Sequence, residues 1–311
     1  MKLPHTQLKN QSGLTLIELM VSLVIGLLLA IVASSTYLYS KQAYNAVSEN
    51  SQLEENGRLA INLLTKNILN AGFQNINPST AFATPPLDNR MSGCDFGLEN
   101  PRSPTAVADY ACLASTPAGA SQSGSINVIY QTDGYNVAGA RFQGFDCIGN
   151  RAIAVNLTAG TSVTTNTTTQ VNQHFFVSTS NVSTPRGTAT MGQLSCATDP
   201  TGAVGAAGAF TSQPLIPGIH QIRLTYLTPS TSADSRKSAQ TRNTAAQIGT
   251  AWSTVAAIEI CVLSKSIQPS GNDTQTAMED CYGNAFTPPS SETFRRMTSL
   301  VNIRNRDIPN S

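Results

Sequence analysis

The chain has 311 residues, 40% of them hydrophobic and only 12% charged, and its formal net charge is +1. That length allows one large domain or two small ones. The balance excludes the basic stripe that electrostatic binding of nucleic acid requires, and the abundance of Thr, Ser, Asn, Gly and Ala from about residue 115 to 250 suits a secreted β-rich domain better than a compact cytosolic enzyme.

Residues 1–13, MKLPHTQLKNQSG, carry Lys2 and Lys9 and no acid, and residues 14–33 then form an apolar run with a single charge, Glu18. As a helix the run is about 30 Å long, enough to cross a bilayer core. Lysines before the run and none inside it put residues 1–13 on the cytoplasmic side and export the chain beyond residue 33. A secretory signal peptide cut near Ala33-Ser34-Ser35 and an uncleaved signal anchor both fit such a run. Neither accounts for Glu18. A carboxylate at bilayer depth costs at least ~2.5 kcal/mol on insertion scales and marks a functional partner.

The stretch Gly13-Leu14-Thr15-Leu16-Ile17-Glu18-Leu19 resembles the class III signal of type IV prepilins and pseudopilins. The resemblance implies that a prepilin peptidase cuts between Gly13 and Leu14. Leu14, where the family usually has Phe, then becomes the N-methylated first residue, and Glu18 becomes the family's fifth-position glutamate. Cleavage leaves a cationic amine on an apolar helix. Glu18, one turn along, cannot fold back onto that amine without leaving helical geometry, but it can meet the amine of a neighbouring subunit. The pair offsets part of the cost of both buried charges and fixes axial register.

The helical pattern continues past residue 33. Tyr37, Tyr44, Leu53, Ala60, Leu64 and Ile68 recur at spacings that give one apolar stripe, widened by Ile61, Leu63 and Leu69. Glu54 and Arg58 form an i,i+4 pair on the polar face. No proline lies between Pro4 and Pro78, so a helix over 14–71, about 87 Å long, is predicted, with Gly72 at its C-terminal cap. Its first half, 14–33, is lipid-soluble and its second, 34–73, amphipathic. Gly26 and Gly57 are interior glycines that each cost about 1 kcal/mol against Ala, and close packing is the plainest reason for them. Local melting of the helix at Gly26 during assembly is a second reading.

Strands are predicted at Ile126–Gln131, Gly139–Cys147, Ala152–Leu157, His174–Ser178, His220–Leu227, Val255–Ser264 and Met297–Arg304, with 74–125 and 228–250 largely irregular. One long helix followed by many strands is an α+β pattern with a mainly antiparallel sheet. Six cysteines, Cys94, Cys112, Cys147, Cys196, Cys261 and Cys281, all fall after the helix and include no C-x-x-C pair. They read as disulfides formed outside the cytosol. Nearest-neighbour pairing, 94–112, 147–196 and 261–281, closes the shortest loops; free buried thiols are the alternative.

Four segments refine the resemblance to the PilW-type minor pilins: Asn56 to Phe73, Gly218 to Tyr226, Trp252 to Leu263, and Val301 to Arg306. In that family they are the end of the spine helix, two strands of the sheet and the closing strand. The pilin-like fold implied is a helical spine packed on an antiparallel sheet. Residues 1–13 are the leader, 14–33 the transmembrane half of the spine, 34–73 its amphipathic half, and 74–311 the exported β-rich domain.

No motif for chemistry stands out. His5 lies in the leader, and His174 and His220 lack paired ligand spacing. There is neither a G-x-S-x-G elbow nor a P-loop. Gly202, Gly205 and Gly208 read as a flexible loop. The acidic group of Asp273, Glu279 and Asp280 with Asn272 reads as a solvated loop before a calcium site. The expectation is therefore a non-enzymatic protein with no cofactor and no metal.

The resemblance implies a minor pilin of a type IV pilus, held in the inner membrane with its C-terminal domain periplasmic. Its implied partners are prepilin peptidase, other minor pilins and the major pilin, engaged through the spine and Glu18, and a tip adhesin. Together they prime and cap the fibre, with motility, adhesion and DNA uptake downstream. A J-type minor pseudopilin of a type II secretion system shares the same architecture. A signal-anchored periplasmic binding protein or hydrolase is the alternative from another class, and it predicts a different mature N-terminus.

Overall fold

The computed structural model describes residues 15–73, 90–101, 110–116, 122–132, 135–137, 140–142, 146–149, 169–184, 187–198, 211–229, 240–266, 276–289 and 292–304. The chain divides into two compact units, Met1–Ser48 and Glu49–Ser311. Helix α1 spans Leu16–Asn70 and supplies all the secondary structure described in the first unit. It is built from Leu, Ile, Val and Ala with no proline to interrupt it. It stops at Gly72, whose φ of 70° is the left-handed conformation of a helix-terminating glycine.

The second unit contains two main antiparallel sheets. In chain order its strands are β1 (Met91–Cys94), β2 (Ser125–Thr132), β3 (Tyr135–Val137), β4 (Ala140–Phe142), β5 (Thr169–Thr184), β6 (Gly187–Thr198), β7 (Thr211–Pro217), β8 (Ile219–Pro229), β9 (Gln240–Asn243), β10 (Ala257–Lys265), β11 (Met278–Glu279), β12 (Ala285–Phe286) and β13 (Phe294–Asn302). One sheet runs β1-β2-β5-β6-β7 and the other β13-β10-β8-β9; β3-β4 and β11-β12 are small two-stranded pairs. A short helix α2 (Ala245–Ile248) and a 3-10 turn (Trp252–Thr254) come after β9.

The chain passes from one sheet to the other at a single residue. Gly218, φ 75°, lies between β7 and β8. Its N–H donates to the Gly192 carbonyl on β6 at 2.9 Å, and its carbonyl accepts from Lys265 N–H on β10 at 2.8 Å. A second link joins the sheets where Gly124 N–H donates to the Ile222 carbonyl at 2.8 Å and Ile222 N–H donates to Ser123 Oγ at 3.1 Å. Arg90, 3% exposed, ties the approach to β1 to the 3-10 turn by donating to the carbonyls of Trp252, Ser253 and Val255.

The core lies between the sheets and the end of α1. Leu64 and Ile68 of the helix join Ile126, Val128, Phe175 and Leu194 of the first sheet and Ile222, Ile258, Ile260 and Val262 of the second. The outer face of each sheet is covered by a disulfide-tied loop. Cys94–Cys112 holds Leu98 and Tyr110 over Phe176 and Ala197 of the first sheet. Cys261–Cys281 holds Tyr282 and Met278 over Leu263 of the second. The third disulfide joins Cys147 to Cys196 of β6.

Several sequence-based boundaries differ from those observed. The strand predicted at His174–Ser178 belongs to a strand running Thr169–Thr184, and among the described residues of Gly139–Cys147 only the short β4 is a strand, with Cys147 in a turn. Val255 and Ala256 precede β10 rather than belong to it, and the last strand is Phe294–Asn302. The stretch 74–125 is not wholly irregular, since it holds β1, and 228–250 holds β9 and α2. Strands β6 and β7 have no counterpart among the predicted ones. The strand predicted at Ala152–Leu157 and the loop of Gly202, Gly205 and Gly208 lie outside the described residues.

Gly192 is the tightest point at the junction. A Cβ there would overlap the Ile219 carbonyl and the Cα of His220, both backbone atoms that cannot swing aside. Gly192→Ala is expected to cost on the order of 2–3 kcal/mol and to lower the melting temperature by roughly 5 °C or more. A melt unchanged from the parent would show that the two sheets are not held this closely.

Candidate functional site

The first turn of α1 is organised around Glu18. The Thr15 carbonyl accepts from the N–H groups of Glu18 and Leu19 at 3.1 and 3.2 Å, and Thr15 Oγ1 accepts from Glu18 N–H at 3.4 Å. Thr15 therefore stands at the N-cap and Glu18 at the third helical position, the spacing of a capping box. A carboxylate there also faces the positive end of the helix dipole. The Thr-x-x-Glu pattern just before an apolar run is a sequence signal for this start that apolar spacing alone misses. Gly13 and Leu14 lie outside the described residues.

The polar side chains farther along α1 are handled differently. Ser22 Oγ donates to the Leu19 carbonyl at 3.0 Å, and Ser35 Oγ and Thr36 Oγ1 donate to the Val32 carbonyl at 2.8 and 2.9 Å. These hydroxyls spend their protons on their own helix, which suits them to a medium without water. Among the described residues no group bonds the exposed Glu18 carboxylate.

The surface around these residues is apolar on every side. From Leu16 to Val32 each Leu, Ile, Val and Met is more than half exposed, from 52% at Val21 and Ile25 to 79% at Leu16. A helix that is apolar all round has no stable place in water; it belongs in lipid or among other helices. By length and composition α1 can cross a membrane, and none of its most apolar window is buried within the chain.

Within the second unit the helix has one buried face. Leu53, Gly57, Ala60, Leu64 and Ile68 are buried, and Ile61, Leu63 and Leu69 are partly buried against the core. The expected stripe is thus real from Leu53 onward, whereas Tyr37 and Tyr44 are exposed. Gly57 is packed beneath Met297 of β13, where a Cβ would meet the methionine Sδ and Cε. Gly26 has nothing within 4 Å of a built Cβ, so close packing inside this chain does not account for it. Glu54 pairs with Arg58 one turn on and with Arg295 of β13 at 3.6 Å. The helix end is fixed by Gly72 N–H, which donates to the Ile129 carbonyl of β2 at 2.8 Å.

The remaining residues of interest are dispersed. His174 on β5 is 8% exposed and stacks on Tyr110, ring centroids 4.0 Å apart and planes 6° apart; burial lowers its pKa to about 4. His220 on β8 packs edge-on against Phe294, and burial chiefly, then the Lys265 charge, lowers its pKa. The two histidines are on different sheets. Asp280 accepts from the N–H groups of Tyr282 and Asn284, both at 2.8 Å. Burial raises its pKa, but those bonds together with the Asn284 and Gln221 side chains outweigh this and leave it below its usual value. Glu279 is paired with Arg296 at 3.3 Å. Asn272 and Asp273 lie outside the described residues.

Comparison with known proteins bears on both ends of the chain. Residues 174–305 match the family model of the Type IV Pilus-assembly protein W, and residues 8–34 match the prokaryotic N-terminal methylation motif. No curated protein matches the chain. A type IV-like pilin from Thermus thermophilus aligns over 81% of this chain and 97% of its own at 10% identity, with a TM-score of 0.36.

The contact at Gly57 predicts a graded response. Gly57→Ala should stay within about 1 kcal/mol of the parent, because the gain in helix propensity offsets a small shift of the flexible Met297 tip. Gly57→Leu should cost on the order of 3 kcal/mol by overpacking, and combining it with Met297→Ala should recover much of the loss. Equal melting temperatures for the three chains would show that Met297 does not fill this site.

Proposed function

We propose, from the premise that the chain belongs to the PilW-type minor pilins, that it is cut between Gly13 and Leu14 by a prepilin peptidase and N-methylated on Leu14. It then waits in the inner membrane on residues 14–33, with residues 74–311 in the periplasm. From there it joins other minor pilins and the major pilin through α1, primes fibre assembly, and sits at or near the tip, where it can carry an adhesin. Motility, adhesion and DNA uptake result from the fibre. The chain itself catalyses no reaction.

The observation that carries this reading is Glu18: one carboxylate in the first turn of a lipid-length helix in which Ser22, Ser35 and Thr36 bond their own backbone. A carboxylate at bilayer depth needs a cation. Cleavage after Gly13 would create one, an amine four residues away along the chain. Two subunits side by side can pair amine with carboxylate and so set their axial register. The match of the methylation motif over residues 8–34 supports this use of the N-terminus. Three disulfides support folding on the oxidising side of the membrane.

Sequencing the membrane-extracted protein tests the processing step. Leu14 should come first and carry a methyl group, and Gly13→Val should accumulate at precursor length. Met1 or a residue near Thr36 at the N-terminus would overturn the reading in favour of an anchored or secreted periplasmic protein. The role of Glu18 is tested separately. Glu18→Ala should insert in the membrane at parental levels yet co-purify with its pilin partners at least severalfold less. Normal piliation from that variant would count against pairing with the amine.

A further inference from the structure

The outer face of the first sheet carries a cavity of about 500 Å³ between β1, the Cys94–Cys112 loop and α2. That is many times the space of a water molecule and within the range of small-ligand pockets. Its floor is a polar row set by strand register. Ser92 on β1 is opposite Asn127 on β2, which is opposite His174 on β5. Because successive side chains alternate, Ile126, Val128 and Phe175 point to the opposite face and fill the main core. The cavity is roofed on the α2 side by Trp252, and α2 is pinned there by Asp95, whose carboxylate accepts from the N–H groups of Ala245 and Ala246, both at 2.9 Å.

Hydrogen-bonding capacity is left unspent around this space. Asn127 Oδ1 is buried with no partner. The His174 side chain makes no hydrogen bond among the described residues; the Tyr110 ring stacks on it. A buried acceptor such as Asn127 Oδ1 costs about 1–3 kcal/mol if nothing meets it. That unmet acceptor and the unbonded imidazole beside it on one cavity floor indicate an occupant.

We propose that this cavity binds a small neutral polyhydroxylated ligand, a sugar ring, with Asn127 and His174 meeting its hydroxyls and Trp252 its apolar face. Charge selects this class. Among the described residues no Lys or Arg lines the cavity, and Asp95, the one described carboxylate there, already accepts two amide protons and would repel an anion. Burial keeps the His174 imidazole neutral at neutral pH, so it offers one donor and one acceptor. Asn127 offers a free acceptor. Phe96, Leu98 and Trp252 supply the apolar wall that the C–H face of a sugar packs against. The site is formed within the second unit and does not depend on how the N-terminus is processed.

Trp252 is the single tryptophan of the chain, so its fluorescence reports on the cavity directly. The full-length protein in detergent would be titrated with neutral hexoses and N-acetylhexosamines, and with glucuronate and glucosamine as charged controls. A saturable change with at least one neutral sugar in the millimolar range is expected, accompanied by a rise in melting temperature. Asn127→Leu should weaken it about tenfold, the loss of roughly one hydrogen bond. Ser92→Val, on the same row, is the second variant if Asn127→Leu does not fold. No saturable change with any neutral sugar, a response confined to the charged controls, or undiminished binding in the folded variant would overturn the proposal and leave the cavity to ordered water.

Discussion

The contact on which the second unit depends is the burial of one helical face, centred on Ala60, Leu64 and Ile68, against two sheets at once. Fully burying a Leu or Ile is worth about 1.5–3 kcal/mol, so Leu53, Leu64 and Ile68 make this a substantial share of a domain's net stability. Gly57 contributes by being small. It lets the backbone approach β13, and Met297 fills the space that a side chain would have taken. The sheets in turn are positioned for the helix by Gly218 and by the Gly124–Ile222 bond, which hold their edges together where β7 becomes β8. A change at the junction is therefore felt at the helix, though no junction residue lies on it.

The outer faces solve a different problem. With 12% charged residues the chain cannot cover both sheets with a polar layer. It uses loops instead, and a loop laid over a sheet needs fixing. Each of two disulfides does this locally, tying a strand to the loop that crosses its outer face. Local closure constrains the unfolded chain modestly but holds the covering loop in place. Polar groups inside these covers are met by the backbone: Arg90 by three carbonyls, and Tyr282 by the Asp95 carbonyl at 2.9 Å. Where the cover over the first sheet is incomplete, the polar row of Ser92, Asn127 and His174 is left facing open space.

Much of this was legible because its signals are long or periodic. The helix, its glycine stop and the stripe from Leu53 follow from spacing, and β8 and β10 follow from runs of Ile, Leu and Val. Strand β6, GTATMGQLSCAT, is central in its sheet yet lacks a run of large apolar residues; it is buried continuously from Leu194 to Thr198, polar and apolar alike, so no alternation shows. Strand β7 carries Pro214 and Pro217, which argue against a strand from sequence and are tolerated because it is the edge of its sheet. Helix α2 had a readable signal, the capping box of Thr244 and Gln247, but at four residues it has no periodicity to confirm it. The cavity was not legible at all. It depends on the register that sets Asn127 opposite His174, and register is fixed by the whole sheet rather than by either strand.

Glu18 shows the limit from the other side, since the apolar run around it made it stand out and the geometry adds where in the helix it lies. A helix meets the needs of a hydroxyl internally, as Ser22, Ser35 and Thr36 do, because a carbonyl one turn back is always in reach. It cannot do the same for a carboxylate, which needs donors that interior helical amides have already committed. Only the first turn has amides to spare, and Thr15 caps one of them. Glu18 thus occupies the first turn, the part of the apolar half where the helix dipole lowers the cost of its charge without neutralising it. The chain does not meet the rest of that cost, since among the described residues no group bonds the carboxylate; a cation brought by a neighbouring subunit, as proposed above, would meet it.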